Sequence, residues 1–194
     1  MPNIFPASTI NANLKIHEDG FDRFWFYHKP SFPTDYPEIY QKLLSNAISD
    51  IEVWDPYFNT GQNDQEVFAL INPNVSIKIL TLKALNGSDS YFHDVANDLK
   101  LVIPRSKNVR FAMRAVDKSD MTQFDWRFHD RFLIIDQLDV YLIGCSLAGH
   151  TTPHLSTGIL KVAEIDTKMF IISIFREYWR VATNQEYTLR FLHP

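Results

Sequence analysis

Hydrophobic and polar positions repeat along this chain with two different periods, and each change of period marks an element. From Pro37 to Ser49, Ile39, Leu43 and Ala47, together with Tyr40, Leu44 and Ile48, recur at helical spacing. Asp35 stands ahead of them as a cap and Glu38 lies three residues on, so the spacing predicts a helix. The run Ile51-Glu52-Val53-Trp54 then reads as a short strand that stops at the turn Asp55-Pro56, because the residue before a proline avoids helical geometry. A helical candidate follows at about 63–72. Further strands are predicted at Val75–Lys83, Val109–Val116, Arg127–Asp136, Val140–Ser146 and Gly158–Ile165, with a helix at Ser90–Leu101. Helices and strands alternate first, strands then follow one another, and a helix closes the chain. That order predicts an α/β fold, a mixed β-sheet with helices on both faces.

The closing helix, about Thr167–Thr183, is apolar on most of its circumference. Ser173, Arg176, Glu177 and Arg180 leave only a narrow polar stripe, so deep burial is expected, in the core of one chain or partly in a subunit interface. Residues 1–36 are proline-rich with the aromatic cluster Phe21, Phe24, Trp25, Phe26 and Tyr27, and read as an extension with one or two short strands packed on a single domain at 37–194. A chain of 194 residues with 45% hydrophobic content suffices for one core.

Composition narrows the classes. No apolar run reaches the roughly 20 residues that cross a bilayer, no secretory leader is visible, and the single Cys145 excludes an intramolecular disulfide. A cytoplasmic location is the expectation. The net charge of −4 argues against indiscriminate nucleic-acid binding. The segment from Lys100 to Arg131 departs from that average, with eight basic residues against four acidic ones. It reads as an anion-attracting rim or as a solvated surface of paired charges.

This segment leads into Arg127-Phe128-His129-Asp130-Arg131-Phe132-Leu133-Ile134-Ile135-Asp136. Alternation along a strand projects His129 and Arg131 from one face and Phe128, Phe132 and Ile134 from the other. An imidazole that can attack phosphorus thus shares a surface with a guanidinium that can grip non-bridging phosphate oxygens. Such a two-step displacement calls for no metal and no cofactor. Asp136 could fix an imidazole tautomer or hold the turn that follows it. After the predicted hairpin, Gly144-Cys145-Ser146 offers a close backbone approach and a hydroxyl for a phosphate oxygen.

The pattern His129-x-Arg131-x4-Asp136, followed by Gly144-x-Ser146, resembles the His-x-Lys-x4-Asp (HKD) signature of the phospholipase D superfamily and its downstream Gly-Ser element. The strand ending in Asp55-Pro56-Tyr57 and the last strand and helix resemble its single-motif members, over residues 37–183 at the level of element order. The resemblance implies a phospholipase D-like sandwich in which His129 is the nucleophile, Arg131 takes the phosphate-binding place of the family lysine, Asp136 supports the site and Ser146 matches the family serine. It also implies a homodimer with both copies of His129 at a shared site, one attacking and the other protonating the leaving oxygen. Three positions depart from the family: arginine replaces lysine, Cys145 separates the glycine from the serine, and Leu147-Ala148-Gly149 lacks the usual asparagine.

Arg127, Gly144, Trp126 and Glu164 complete the candidate set as substrate-binding residues. Trp126 either stacks on a base or headgroup or is buried against the closing helix. Glu164 either replaces a missing orienting acid or is an exposed charge at a strand end. His150 and His154 fit no zinc spacing. The leading expectation is a metal-independent phosphodiesterase of the nuclease type acting on nucleic acid, DNA ahead of RNA, with antiviral defence as an expected setting. The alternative is a non-catalytic module of the same fold that binds phosphate, nucleic acid or phospholipid, or serves as a subunit of a defence complex.

Overall fold

The computed structural model describes residues 14–16, 24–28, 36–56, 58, 67–82, 89–103, 107–116, 130–144, 156–182 and 187–190. In chain order the elements are β1 (Leu14–Ile16), β2 (Phe24–His28), α1 (Tyr36–Leu44), β3 (Asp50–Trp54), β4 (Ser76–Leu82), α2 (Asp89–Val102), β5 (Arg110–Val116), β6 (Phe132–Ile135), β7 (Asp139–Ile143), β8 (Ser156–Lys161), α3 (Ile165–Val181) and β9 (Tyr187–Arg190). The strands form a nine-stranded mixed sheet in the order β1-β2-β8-β7-β6-β3-β4-β5-β9. β3, β4 and β5 are parallel, and β6 joins β3 antiparallel on the other side. The chain moves outward from β3 to β5 and then returns to β6, so its direction of winding reverses between β3 and β6.

Both faces of the central strands are covered, as alternation of two apolar sets requires. On one face Ile51, Val53, Ile77, Ile79, Leu133 and Ile135 pack with residues of α1 and α2, including Leu44 and Leu99. On the other, Trp54, Leu80, Ile134 and Val140 pack with Ile172, Phe175 and Tyr178 of α3. Helices on both faces of a mixed sheet are thus what the chain forms.

Boundaries differ where polar side chains intervene. The helix expected to Ser49 stops at Leu44. Beyond it, Asn72 Nδ2 donates to the carbonyls of Ser45 and Ala47 at 2.8 and 2.7 Å, which holds the chain in a turn. The helix expected at 63–72 is, among its described residues, a single turn at 67–70. The strand expected to reach Ile165 ends at Lys161, and α3 begins at Ile165. A further strand, β9, follows α3 and pairs antiparallel with β5, where a closing helix alone was expected. On α3, Ile172, Phe175 and Tyr178 are buried, while its first turns leave Ile165, Met169 and Phe170 exposed. No helix among the described residues is long and apolar enough to cross a membrane.

Candidate functional site

The carboxyl ends of the parallel strands and the start of β6 share one edge of the sheet. Trp54 pairs with Phe132, and the next residues outward on the two strands are Asp55 and Arg131. Both continue their ladders: the Asp55 N–H donates to the Leu80 carbonyl at 3.0 Å, and the Ile143 N–H donates to the Arg131 carbonyl at 2.9 Å. Alternation therefore puts both side chains on the face of Val53 and Leu133. Arg131 Nε lies 3.5 Å from Asp55 Oδ1, with the aspartate side chain fully buried and the arginine 23% exposed. Arg131 Nη1 donates to the Gly144 carbonyl at 3.4 Å. Gly144 is itself held by donation of its N–H to the Gly158 carbonyl at 2.8 Å. Behind Asp55, the buried Thr81 hydroxyl donates to the Pro56 carbonyl at 3.3 Å. Three segments distant in sequence thus meet at the point where the winding reverses, the place where open α/β sheets bind ligands.

Two expected site residues belong elsewhere. Asp136 lies at the other end of β6, four ladder residues beyond Arg131, which at about 3.3 Å per residue sets it well away from the guanidinium. Its carboxylate accepts from the backbone N–H groups of Ile48 (2.9 Å), Ser49 (2.7 Å) and Asp50 (3.0 Å) and from the Ser49 hydroxyl (3.0 Å). Partial desolvation, the largest single influence, pushes its pKa up. The hydrogen bonds from Asp50, Ser49 and Ile48 together outweigh it and hold the carboxyl below the usual aspartate range. The alternative of a turn-holding aspartate replaces that of a tautomer-fixing one. Asp136 and Gln137 have φ of 52° and 55°, and the Leu138 N–H donates to the Ile135 carbonyl at 3.0 Å, closing a turn of the hairpin class that needs positive φ at both central residues.

Glu164 is likewise at the opposite edge. β8 runs parallel to β6, so its end leads away from Arg131, and Glu164 becomes the N-cap of α3, accepting from the Thr167 hydroxyl at 2.5 Å. Its expected substrate-binding role is corrected to a place at a helix start. A cleft of about 410 Å³ between the α1–β3 connection and the β6–β7 turn, lined in part by Ile48, Asp136, Leu138 and Tyr141, is on this far edge too.

The expected residues Trp126, Arg127, His129 and Ser146 lie outside the described residues, as do Cys145, His150 and His154. Of the basic segment, two members serve the fold. Lys107 Nζ donates to the carbonyls of Ala69 and Ile71 at 3.0 and 2.7 Å. Arg114 stacks over Trp179, 4.6 Å from the ring centroid, and donates to its carbonyl. Among the described residues no group of three His, Cys, Asp or Glu is assembled to hold a metal. In the sequence Asp55 stands out only as the end of a strand, in Asp55-Pro56-Tyr57; its place as the acid facing Arg131 emerges once β3 and β6 are paired.

The fold resembles solved structures at low sequence identity. Nuc from Salmonella typhimurium, a phospholipase D family member, matches with a TM-score of 0.53 and 12% identity over 86% of this chain and 99% of that one. NucT from Helicobacter pylori matches at 0.51 and 11%, over 81% and 96%. Phosphatidylserine synthase from Haemophilus influenzae Rd KW20 matches at 0.53 and 11%, over 87% and 40%. No protein-family model matches the sequence, and no curated protein matches it.

Proposed function

The chain has the fold of the phospholipase D superfamily, and on that premise we propose that it is a metal-independent phosphodiesterase of the nuclease type. The observation that carries the reading is the meeting of Arg131 and Gly144, two members of the His129-x-Arg131 and Gly144-x-Ser146 pattern, at the switch-point edge of the sheet. His129 and Ser146 are each two residues along the chain from these anchors.

In the proposed reaction an imidazole nitrogen of His129 attacks phosphorus, the bond to the leaving alkoxide breaks, and His129 of the partner subunit supplies the proton. Water, deprotonated by that same partner histidine, then attacks the phosphohistidine and regenerates the free imidazole. Arg131 holds the non-bridging oxygens through both steps. Arg127 and the Ser146 hydroxyl add phosphate contacts, and Trp126 stacks on a base. Nucleic acid, DNA ahead of RNA, is the proposed substrate, and the shared histidines make a homodimer the working unit.

The test is cleavage of single- and double-stranded oligonucleotides in EDTA by the wild type and by His129→Ala. Loss of wild-type cleavage by at least a thousandfold in the variant is expected. Cleavage that survives the substitution excludes His129 as nucleophile. One observation favours the second reading, a phosphate-binding or assembly module without turnover: the charge of Arg131 is already met by a buried carboxylate. Oligonucleotide or vesicle binding that depends on Arg131, with no cleavage by the wild type, would establish that module.

A further inference from the structure

The arginine that stands where the family has lysine, and the buried acid facing it, have a common explanation. A lysine ammonium is a compact charge, and opposite a buried carboxylate it would be captured whole. A guanidinium is a planar fork that can meet a carboxylate through one edge and direct its remaining N–H groups elsewhere. At this site the Nε side of the guanidinium is the one nearest the acid, in an ion pair without a hydrogen bond from Nε. Arg131 Nε is buried from solvent and 3.5 Å from Asp55 Oδ1, while Nη1 reaches past it to the Gly144 carbonyl. Asp55 in turn cannot swing away. Its N–H is tied to the Leu80 carbonyl, the next residue is a proline whose carbonyl is held by Thr81, and its side chain has no exposure.

We propose that Asp55 is the positioning residue of this site and forms one unit with Arg131: its buried carboxylate sets the plane of the guanidinium so that the outer part of the fork faces a phosphate. Arginine at 131 is then a requirement of Asp55, and the departure from lysine is paired with an acid in a different strand. The inference rests on the anion-binding reading of the edge. It goes beyond that reading because simple electrostatics points the other way: removing a carboxylate beside an anion site ought to tighten anion binding, whereas removing a positioning group weakens it.

The experiment combines two measurements on the full chain. In ¹⁵N-labelled protein, the Arg131 Nε–H resonance is identified by its loss in Arg131→Lys, and its exchange with water is compared with that of exposed arginines such as Arg110. Inorganic phosphate binding is measured by calorimetry for the wild type, Asp55→Asn, Arg131→Lys and the double variant. The expected results are a protected Nε–H in the wild type and its loss of protection in Asp55→Asn. Phosphate affinity should fall at least tenfold in Asp55→Asn and in Arg131→Lys. The double variant should recover at least threefold over Arg131→Lys, because the lysine is released from its captor.

An Nε–H that exchanges as fast as those of surface arginines overturns the proposal from the wild type alone, even if Asp55→Asn fails to fold. Tighter phosphate binding in Asp55→Asn, or the same sign of the Asp55 effect in both backgrounds, overturns it as well. A protected Nε–H in a protein that binds neither phosphate nor oligonucleotide supports the Asp55–Arg131 unit and counts against the anion-site reading, so the two failures are distinguishable.

Discussion

Asp136 gathers the N–H groups of Ile48, Ser49 and Asp50 where α1 turns into β3, and does so from a turn with positive φ. The arrangement works as a cap supplied from a distant strand, and hydrogen bonds to a charged acceptor are stronger than neutral ones. Asp136→Ala is expected to lower stability by about 2 kcal/mol at pH 7, read by urea denaturation. The pH dependence follows from the depressed pKa. The contribution is complete above the ordinary aspartate value near 3.9 and fades as pH falls through the lower, folded value. The gap between wild type and Asp136→Ala should therefore close below about pH 4; a gap that stays constant from pH 7 to pH 3 would remove the charged carboxylate from the account.

α3 supports the site from behind. Phe175 and Tyr178 flank Trp54, with ring centroids 6.5 and 5.5 Å away, and Trp54 also meets Phe132 at 5.3 Å. Trp54 and Phe132 are the residues directly inward of Asp55 and Arg131 on their strands, facing α3 while the charged pair faces the other way. Phe175→Ala would open a cavity beneath them and is expected to cost about 3–4 kcal/mol, checked by thermal or urea unfolding. The same face carries a buried acid, Glu52, 1% exposed, which accepts from Lys78 at 2.8 Å and from Gln137 at 3.0 Å; Arg176 of α3 donates to Gln137 in turn. Lys78→Ala leaves that carboxylate without its cation and should destabilise by about 3 kcal/mol. A loss under 0.5 kcal/mol at neutral pH would show that the network tolerates an uncompensated acid, contrary to the usual behaviour of buried ions.

For the whole molecule the sheet assigns opposite duties to its two edges. The edge with Asp55, Arg131 and Gly144 carries candidate chemistry, and the edge with Asn72, Lys107 and Asp136 ties loops to one another. The proposed reaction needs two copies of His129, so light scattering at assay concentrations should give twice the 22.6 kDa chain mass. A monomer that still cleaves would remove the shared-histidine mechanism while leaving the anion site intact.

Much of this architecture was legible because burial writes itself into sequence with a fixed period. The strands at 75–83 and 109–116, the helix at 90–101 and the hairpin after Asp136 follow from alternation and helical spacing. The limits of α1 and β8 did not follow, because they are set by partners remote in sequence, Asn72 and Asp136 for one and the start of α3 for the other. β9 escaped for the related reason that four residues pairing with the sheet edge need no strong period of their own. Asp136 and Glu164 read as site residues while only their distance along the chain from His129 was known. Antiparallel pairing decided otherwise, since a strand carries its two ends to opposite edges of a sheet. The sequence by itself determined the fold class, which rests on local residue types and spacing. Tertiary structure alone decided which acid faces Arg131, because that depends on the register of β3 against β6.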